Sequence, residues 1–533
     1  MTPAECLEWL RSFEDRHGRP LRVLHVGNIG NNAYLNAKFL RSVGVDAHVV
    51  CRDYEHVMGT PEWEEVELLH PHGDDFRPGF AEEDLGSYRR PSWFISGSLP
   101  SCLMQIEALW GEEPSRLRKV RNRSVERAVS LTNMMFGSRS SIALRQCLTE
   151  PRLFAYNLLR RLGSLSGLSM LNGSEPTKPV DHTRAYQVFI DEFDRLFPGR
   201  PDRLTADDII PFQFAVKSFR DMFRHYDIVQ CYATEPIFAL LAEQHPLIAF
   251  EHGTLREFTM DDAPIHGLNA LAYRKADHVL ITNGDCLAYA KRLGIEAYSP
   301  MIHPIDVDQH RRDYGDAIPA LRRKIGSDVI LFCPTRHDWD IKGTDRYIRA
   351  LPLIKQRTNG RVKLVLVRWG RQVAESEALI RDLGCEDDVV WRTTMSRISM
   401  IKHFRAADVV FDQMVLPVFG SAAPQAIAAG KPVISSYVPE ETQWIIPEPA
   451  PLLSAFSPND IAAAVATALE PAWRADYEKR ARYWTDRHHH PDNVISQHLR
   501  VYRKLLEGDR QDELPASPAR RSTKSLGSQP CDA

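Results

Sequence analysis

The sequence predicts an α/β fold built from two doubly wound parallel sheets. Three observations predict it. Short apolar runs recur that are too continuous for half-exposed strands, so they read as strands buried on both faces. Helical patterns end on a basic residue and then glycine, at Gly44, Gly294 and Gly384. Glycine suits the left-handed C′ position there, and the cation suits the negative end of the helix dipole. Finally, the runs fall into two series separated by YSPMIHPIDVDQH, which holds two prolines and no helical period. This places a domain boundary near residue 300.

After a short amphipathic N-terminal helix, Leu21–Val26 reads as the first strand. GNIGNNAY leads from it into a helix ending FLRSVG, and VDAHVV follows as a second strand, together a βαβ unit. Asp227–Tyr232, Leu247–Gly253 and His278–Asn283 continue the first series. The second series is Val329–Arg336, Val362–Gly370, Asp388–Arg392, Asp408–Met414 and Lys431–Ser436. Residues 90–215 break the rhythm with helical patterns such as RSVERAVSLTNMMFG and TRAYQVFIDEFDRLF. They read as a helical insertion into the first domain, with a flexible stretch at GSLSGLSMLNGSEPTKP. The domains are therefore 1–300 and 301–480, followed by a terminal helical segment, 481–507. Residues 508–533 lack periodicity and aromatics and read as a disordered tail.

The chain has 533 residues, 67 basic and 70 acidic, for a net charge of −3. Near-neutral charge argues against a dedicated nucleic-acid binder. A hydrophobic fraction of 43% in a chain this long supports a core without metal or disulfide staples. No apolar stretch approaches the ~20 residues that span a membrane, and the mixed-charge N-terminus reads against a secretory signal. Nine scattered cysteines without a C-x-x-C pair indicate reduced thiols and a cytoplasmic location. G-x-S-x-G, P-loop, H-E-x-x-H and paired cysteine ligands are all missing, which removes support for the common hydrolase, NTPase and zinc classes.

GNIGNNAY (Gly27–Tyr34) lies where a strand hands over to a helix. Gly27, Asn28, Gly30 and Asn31 form either a tight turn or a loop that lets a ligand approach the backbone. With Gly27 and Gly30 three apart and no third glycine, it is not the dinucleotide signature. In CPTRHDWDIKGTDRYIRAL, Arg336 follows a buried strand and Lys342-Gly343 precede a helix. Two cations converging there suit a diphosphate, arginine as a planar fork and lysine as a point charge. Asp338 and Asp340 have D-x-D spacing, but the two cations already supply phosphate countercharge, so no metal is expected. His252 and Arg256 in FEHGTLREF sit at a strand's carboxyl end, where ligands or acid/base groups belong. His303 and Asp306 lie in the linker, where a cleft would form. In FGSAAPQAIAAGKPVI, the amides near Ser421 to Ala423 are candidates for a ribose or phosphate. The run RHHHPDN (Arg487–Asn493) reads as a solvated turn between helices, because consecutive histidines cannot share one ion.

Together these pieces resemble retaining glycosyltransferases of the GT-B fold, family-four type, over residues 20–60 and 225–505. The carrying features are Arg336, Lys342-Gly343, Phe419-Gly420, the Ala-rich helix and KPVI, with HGTLR, TNGD and HPIDVD in support. The resemblance implies two Rossmann-like domains with a nucleotide-sugar between them, the donor on the C-terminal one. It implies that the last helix crosses back to the first domain. It places Arg336 and Lys342 on the donor diphosphate and His252, as the catalytic candidate, near the transferred sugar. Gly343, Phe419, Gly420, Ser421 and Gln425 would complete the donor side, and Gly27, Asn28, Gly30, Asn31, Arg256 and Asp306 the acceptor side or cleft loops. No metal or cofactor is implied, since the nucleotide-sugar is a substrate. Pro417 and Gln425 stand where the family has two glutamates; Gln425 keeps a neutral amide for ribose hydroxyls.

The leading function is sugar transfer from a nucleotide-diphosphate donor to a hydroxyl acceptor with retention, the acceptor being a glycan, a lipid-linked molecule or a small molecule. The alternatives are a nucleotide-sugar epimerase on the same scaffold and a non-catalytic nucleotide-sugar-binding protein. The basic run Arg116–Arg123 reads first as a solvated helix face and second as a peripheral contact with anionic lipid on the inner face of the membrane. No nucleic-acid partner is expected.

Overall fold

The computed structural model describes residues 2–52, 56–68, 73–74, 77–80, 83–112, 182–256, 264–358 and 360–508, with single helical positions between 113 and 181. The flexible stretch, all but one residue of the basic run and the tail from residue 509 lie outside the described residues. So does most of the expected insertion.

The strands in chain order are β1 Arg22–Val26, β2 Asp46–Arg52, β3 Gly73–Asp74, β4 Arg77–Pro78, β5 Phe94–Gly97, β6 Ile228–Tyr232, β7 Leu247–Phe250, β8 His278–Ile281 and β9 Tyr298–Pro300. Then follow β10 Val329–Cys333, β11 Val362–Val367, β12 Val389–Arg392, β13 Val409–Phe411, β14 Val433–Ser435 and β15 Leu453–Ser454. Two parallel sheets result, ordered β5-β2-β1-β6-β7-β8-β9 and β12-β11-β10-β13-β14-β15; β3 and β4 form a small antiparallel pair. The α/β class with two parallel sheets is as the sequence predicts. Full burial of the apolar runs drives it: every residue of β6 and of β10 is buried.

Both sheets grow outward from one strand in two directions. Chain order reverses between β1 and β6 in the first sheet and between β10 and β13 in the second. Loops leaving the carboxyl ends at such a reversal diverge to opposite faces and open a crevice. The loops of interest leave β1, β7, β10 and β13.

Two details depart from the sequence reading. The stretch assigned to a helical insertion starts with β5, which pairs parallel with β2 from Val49↔Phe94 to Arg52↔Gly97. A four-residue strand is too short to show a period. The linker segment also supplies β9, paired with β8 from Val279↔Tyr298 to Ile281↔Pro300. Pro300 fits within it because β9 is an edge strand. Within the described part of the insertion, the helices His182–Leu196 and Ala206–Phe223 are present.

The terminal helix Pro491–Glu507 packs against the first half. Trp9 Nε1 donates to Glu507 at 3.0 Å, and the Tyr502 hydroxyl donates to Gln230 of β6 at 2.9 Å. One core cluster runs through both halves, including Tyr232, Phe250, Phe332, Trp484 and Tyr502.

Candidate functional site

The loop after β10 is folded on itself before it reaches the next helix, Thr344–Arg357. The Asp338 carbonyl accepts from the amides of Lys342 at 2.7 Å and Gly343 at 3.1 Å, closing a turn between the two cations. His337 is buried and bonded through Nδ1 to the Ser376 hydroxyl at 2.8 Å. Gly370 lets the next loop approach: a Cβ there would lie 2.6 Å from the His337 backbone. The D-x-D pair is engaged by an arginine, with Arg371 Nη2 3.1 Å from Asp338 and 3.2 Å from Asp340. Among the described residues, no group of three or more His, Cys, Asp or Glu side chains is placed to hold a metal.

Arg336 leaves this loop exposed, its guanidinium 3.6 Å from Asp338. Lys342 turns inward, and its ammonium donates to Gln413 Oε1 at 2.6 Å. Burial pushes the Lys342 ammonium below its ordinary value; Asp412 opposes this, while Arg336 and Arg256 push it lower. Arg256 belongs to the other half of the chain. The fold therefore brings two cations, one from each loop, into electrostatic reach of Lys342.

Gln413 and Asp412 organise the loop after β13. Gln413 Oε1 accepts from Lys342 while its Nε2 donates to the Val418 carbonyl. Asp412 is buried, and its carboxylate accepts from the Gly420 amide. Burial raises the Asp412 carboxyl, with Lys342 and the amides of Gly420 and Gln413 acting against it. Gly420 is required for this approach, because a Cβ would lie 2.8 Å from Asp412 Oδ1. Phe419 packs on Tyr437 and Trp484, with centroids 5.7 and 6.1 Å away, and so anchors the loop. Ser421 is exposed at the start of the short helix Ala422–Ala428. The Pro417 carbonyl accepts from the Val438 amide at 3.0 Å.

Gln425 is bonded within the protein. Its Nε2 donates to the Ser421 carbonyl at 3.0 Å, and its Oε1 accepts from Arg397. Arg397 in turn places Nε 3.1 Å from both carboxylate oxygens of Glu64, in the first half of the chain. Burial raises the Glu64 carboxyl against the pull of Arg397. A hydrogen bond from the Leu68 amide to Ser396 at 3.1 Å and a Lys402–Glu67 ion pair extend this junction.

On the first half, the loop after β7 carries His252 and Arg256. Its hub is Glu251, fully buried. The Glu251 carboxylate accepts from the Gly253 amide, from Asn283 Nδ2 at 3.1 Å and from Cys286 Sγ at 3.2 Å, so it ties EHG to TNGD. Burial raises this carboxyl, and those hydrogen bonds and Arg256 restrain it. Arg256 forms a two-pronged ion pair with Asp285, Nη2 to Oδ1 being 2.7 Å. His252 stacks on Tyr232 at 5.5 Å and on His303 at 5.5 Å. Burial and the neighbouring His303 hold its imidazole well below the ordinary value.

The remaining candidates are bonded within the protein. Asn28 donates to the Asn31 side chain at 3.0 Å and to the Gly59 carbonyl at 2.8 Å, and Asn31 donates to the Thr60 carbonyl at 2.8 Å. Both are buried, so this loop, with Gly27 and Gly30 at positive φ, is latched to the segment 57–60. Asp306 caps the helix Val307–Arg311: its carboxylate accepts from the Gln309 amide at 3.1 Å and from Lys38 at 3.0 Å. The three histidines of RHHHPDN part ways. His488 meets Glu448 at 3.1 Å, His489 bonds the His303 carbonyl at 3.0 Å, and His490 caps the last helix. The solvated-turn reading needs correction for His489, which is buried where the two halves meet.

Sequence reasoning did not single out Glu64, Arg397, Gln413, Glu251 or Asn32. The motifs GNIGNNAY, FEHGTLREF and DVVFDQM enclosed three of them, Asn32, Glu251 and Gln413. Glu64 and Arg397 stand 333 residues apart, and no local period marks so distant an ion pair.

Two curated relatives match parts of the chain. An uncharacterized glycosyltransferase of Methanocaldococcus jannaschii is 37% identical over 97 residues, 18% of this chain and 24% of the relative. D-inositol 3-phosphate glycosyltransferase of Acidothermus cellulolyticus is 29% identical over 204 residues, 36% of this chain and 45% of the relative. The matches thus span less than half of either relative. Among solved structures, Anabaena HepE in complex with UDP aligns with a TM-score of 0.47 and 18% identity, over 55% of this chain and 82% of that one. Residues 327–471, which contain Arg336, Lys342, Arg397, Asp412, Gln413 and Gln425, match the family described as Glycosyl transferases group 1.

Proposed function

We propose that the chain transfers a sugar from a nucleoside-diphosphate donor to a hydroxyl acceptor, with retention of configuration. One observation carries the reading: Arg336 and Lys342 leave one turn after β10, and Lys342 is within electrostatic reach both of Arg336 and of Arg256 from the loop after β7. Arg256 is held by Asp285 and Arg336 lies 3.6 Å from Asp338, whereas the Lys342 ammonium rests on the neutral Gln413 amide, so the exposed Arg336 and Lys342 are the cations free to turn toward a diphosphate. Departure of a nucleoside diphosphate builds negative charge, and fixed cations in a partly desolvated cleft stabilise it without proton transfer. Lys342 keeps its head on Gln413, so it is preorganised and needs little ordering when the ligand arrives. The family match over residues 327–471 supports the same assignment.

A second reading has its own observation. Pro417 offers no side-chain acceptor, and Gln425 is bonded to Arg397 and Ser421. This favours a nucleotide-sugar-binding protein without turnover. Titration calorimetry with nucleoside diphosphates, alongside turnover of nucleotide-sugars, separates the two. Charge-assisted hydrogen bonds contribute about 1.5–3 kcal/mol each, so Arg336→Ala or Lys342→Ala should weaken nucleoside-diphosphate binding roughly 10- to 150-fold. Unchanged affinity in both variants would sink the donor-site assignment. Binding with no turnover would select the second reading.

A further inference from the structure

His252 is confined on several sides. One face lies against His303, centroids 5.5 Å apart and planes 5° apart. Tyr232 of β6 and Phe250 of β7 pack at 5.5 and 5.2 Å. Asn32, the first residue of the helix Asn32–Ser42, places Nδ2 3.4 Å from His252 Nδ1. The other ring nitrogen, Nε2, is buried and has no partner.

A neutral imidazole carries one N–H and one bare nitrogen, and its partners decide which is which. An amide nitrogen only donates. With Asn32 Nδ2 facing Nδ1, the contact is a hydrogen bond only when Nδ1 is bare, which is the tautomer with its proton on Nε2. The ring has two reasons to stay neutral, its burial and the second imidazole stacked on it. His303 is itself held down to about 4 by burial and by His489. Tyr232 is pushed up by burial and receives hydrogen bonds from Asn36 and Gln230. The adjacent Glu251 carboxylate is occupied by Gly253, Thr282, Asn283 and Cys286. No charged group is bonded to the ring among the described residues. A buried N–H without an acceptor is costly, and a ligand oxygen would relieve that cost.

We infer that Asn32 is a positioning residue that fixes His252 as the neutral Nε2–H tautomer, so that the ring donates a hydrogen bond to an uncharged sugar oxygen of the bound donor. His252 then acts by hydrogen bonding and not as a base. The identity of the oxygen rests on the nucleotide-sugar reading above, whereas the tautomer does not.

The test is long-range proton–nitrogen NMR on the full chain with labelled histidine rings, His252 being assigned by its loss in His252→Gln. Wild type should show a bare Nδ1 and a protonated Nε2 from about pH 6 to about pH 8, the range in which an ordinary histidine titrates. In Asn32→Asp the carboxylate accepts instead, so the proton should move to Nδ1 and the ring should begin to titrate in that range. Donor turnover in that variant should fall roughly 10-fold or more, with nucleoside-diphosphate affinity held within about twofold. Asn32→Ala should give a mixture of tautomers. An Nδ1–H or doubly protonated ring in wild type overturns the inference, even if neither variant folds. So does a tautomer unchanged in Asn32→Asp and Asn32→Ala, or an inverted one with turnover intact. If the chain turns over no nucleotide-sugar at all, the spectra still decide the tautomer, and only the functional reading falls.

Discussion

Replacing Arg397 with methionine tests how the two halves are held together. Arg397 lies 3.1 Å from both Glu64 oxygens, with side-chain exposures of 13% and 4%. A pair this dry cannot be screened by water, and removing one partner from such a pair costs about 3–5 kcal/mol. The variant has an escape, because Glu64 can take up a proton. Burial already raises its carboxyl, and losing Arg397 raises it further. A carboxyl raised in the folded state binds more protons folded than unfolded, so stability falls as pH rises above the ordinary glutamate value. Each pH unit across the shifted range is worth about 1.4 kcal/mol. The loss relative to wild type should therefore be small near about pH 5 and grow toward about pH 8. Glu64→Gln combined with Arg397→Met should recover most of the loss, since no buried charge remains. Calorimetric unfolding of wild type, both single variants and the double across that pH range is the assay. A loss below about 1 kcal/mol at every pH, or one that does not vary with pH, would refute the reasoning. So would a double variant less stable than Arg397→Met alone.

Two further outcomes follow from the same structure. His303 and His489 are held to about 4 and His498 to about 3, all by burial first. Each binds fewer protons folded than unfolded, so its contribution is complete above the ordinary histidine value and is lost as pH falls below it, by about 1.4 kcal/mol per unit for each ring. His498→Phe should flatten that acid limb in a melting-temperature series, and an unchanged slope would count against the assignment. At the junction, a Cβ on Gly284 would collide with the Glu441 carbonyl of the opposite half. Gly284→Ala should cost about 1–3 kcal/mol as an overpacked contact, and small-angle scattering should show the halves displaced. Stability and scattering both equal to wild type would exclude that close approach.

The amino-acid sequence by itself determined the two parallel sheets and the positions of the loops that matter. Val329–Cys333 and Leu247–Phe250 are continuous apolar runs, and such runs can only be buried on both faces. A residue following a parallel strand leaves at its carboxyl edge, so Arg336 with Lys342, and His252 with Arg256, were legible as two candidate pairs without coordinates. What the side chains bind was decided only by the tertiary structure. Lys342 meets Gln413 71 residues away, His252 meets Asn32 220 away, and Glu64 meets Arg397 333 away. Pairing across such separations leaves no local period to read. The same reason explains why Gln425, placed by its motif, is bonded to Arg397, and why Asn28 and Asn31 latch a loop. A motif records which residue stands at a turn. The partner that satisfies it is set only when two distant loops are packed together and their buried polar atoms pair across the contact.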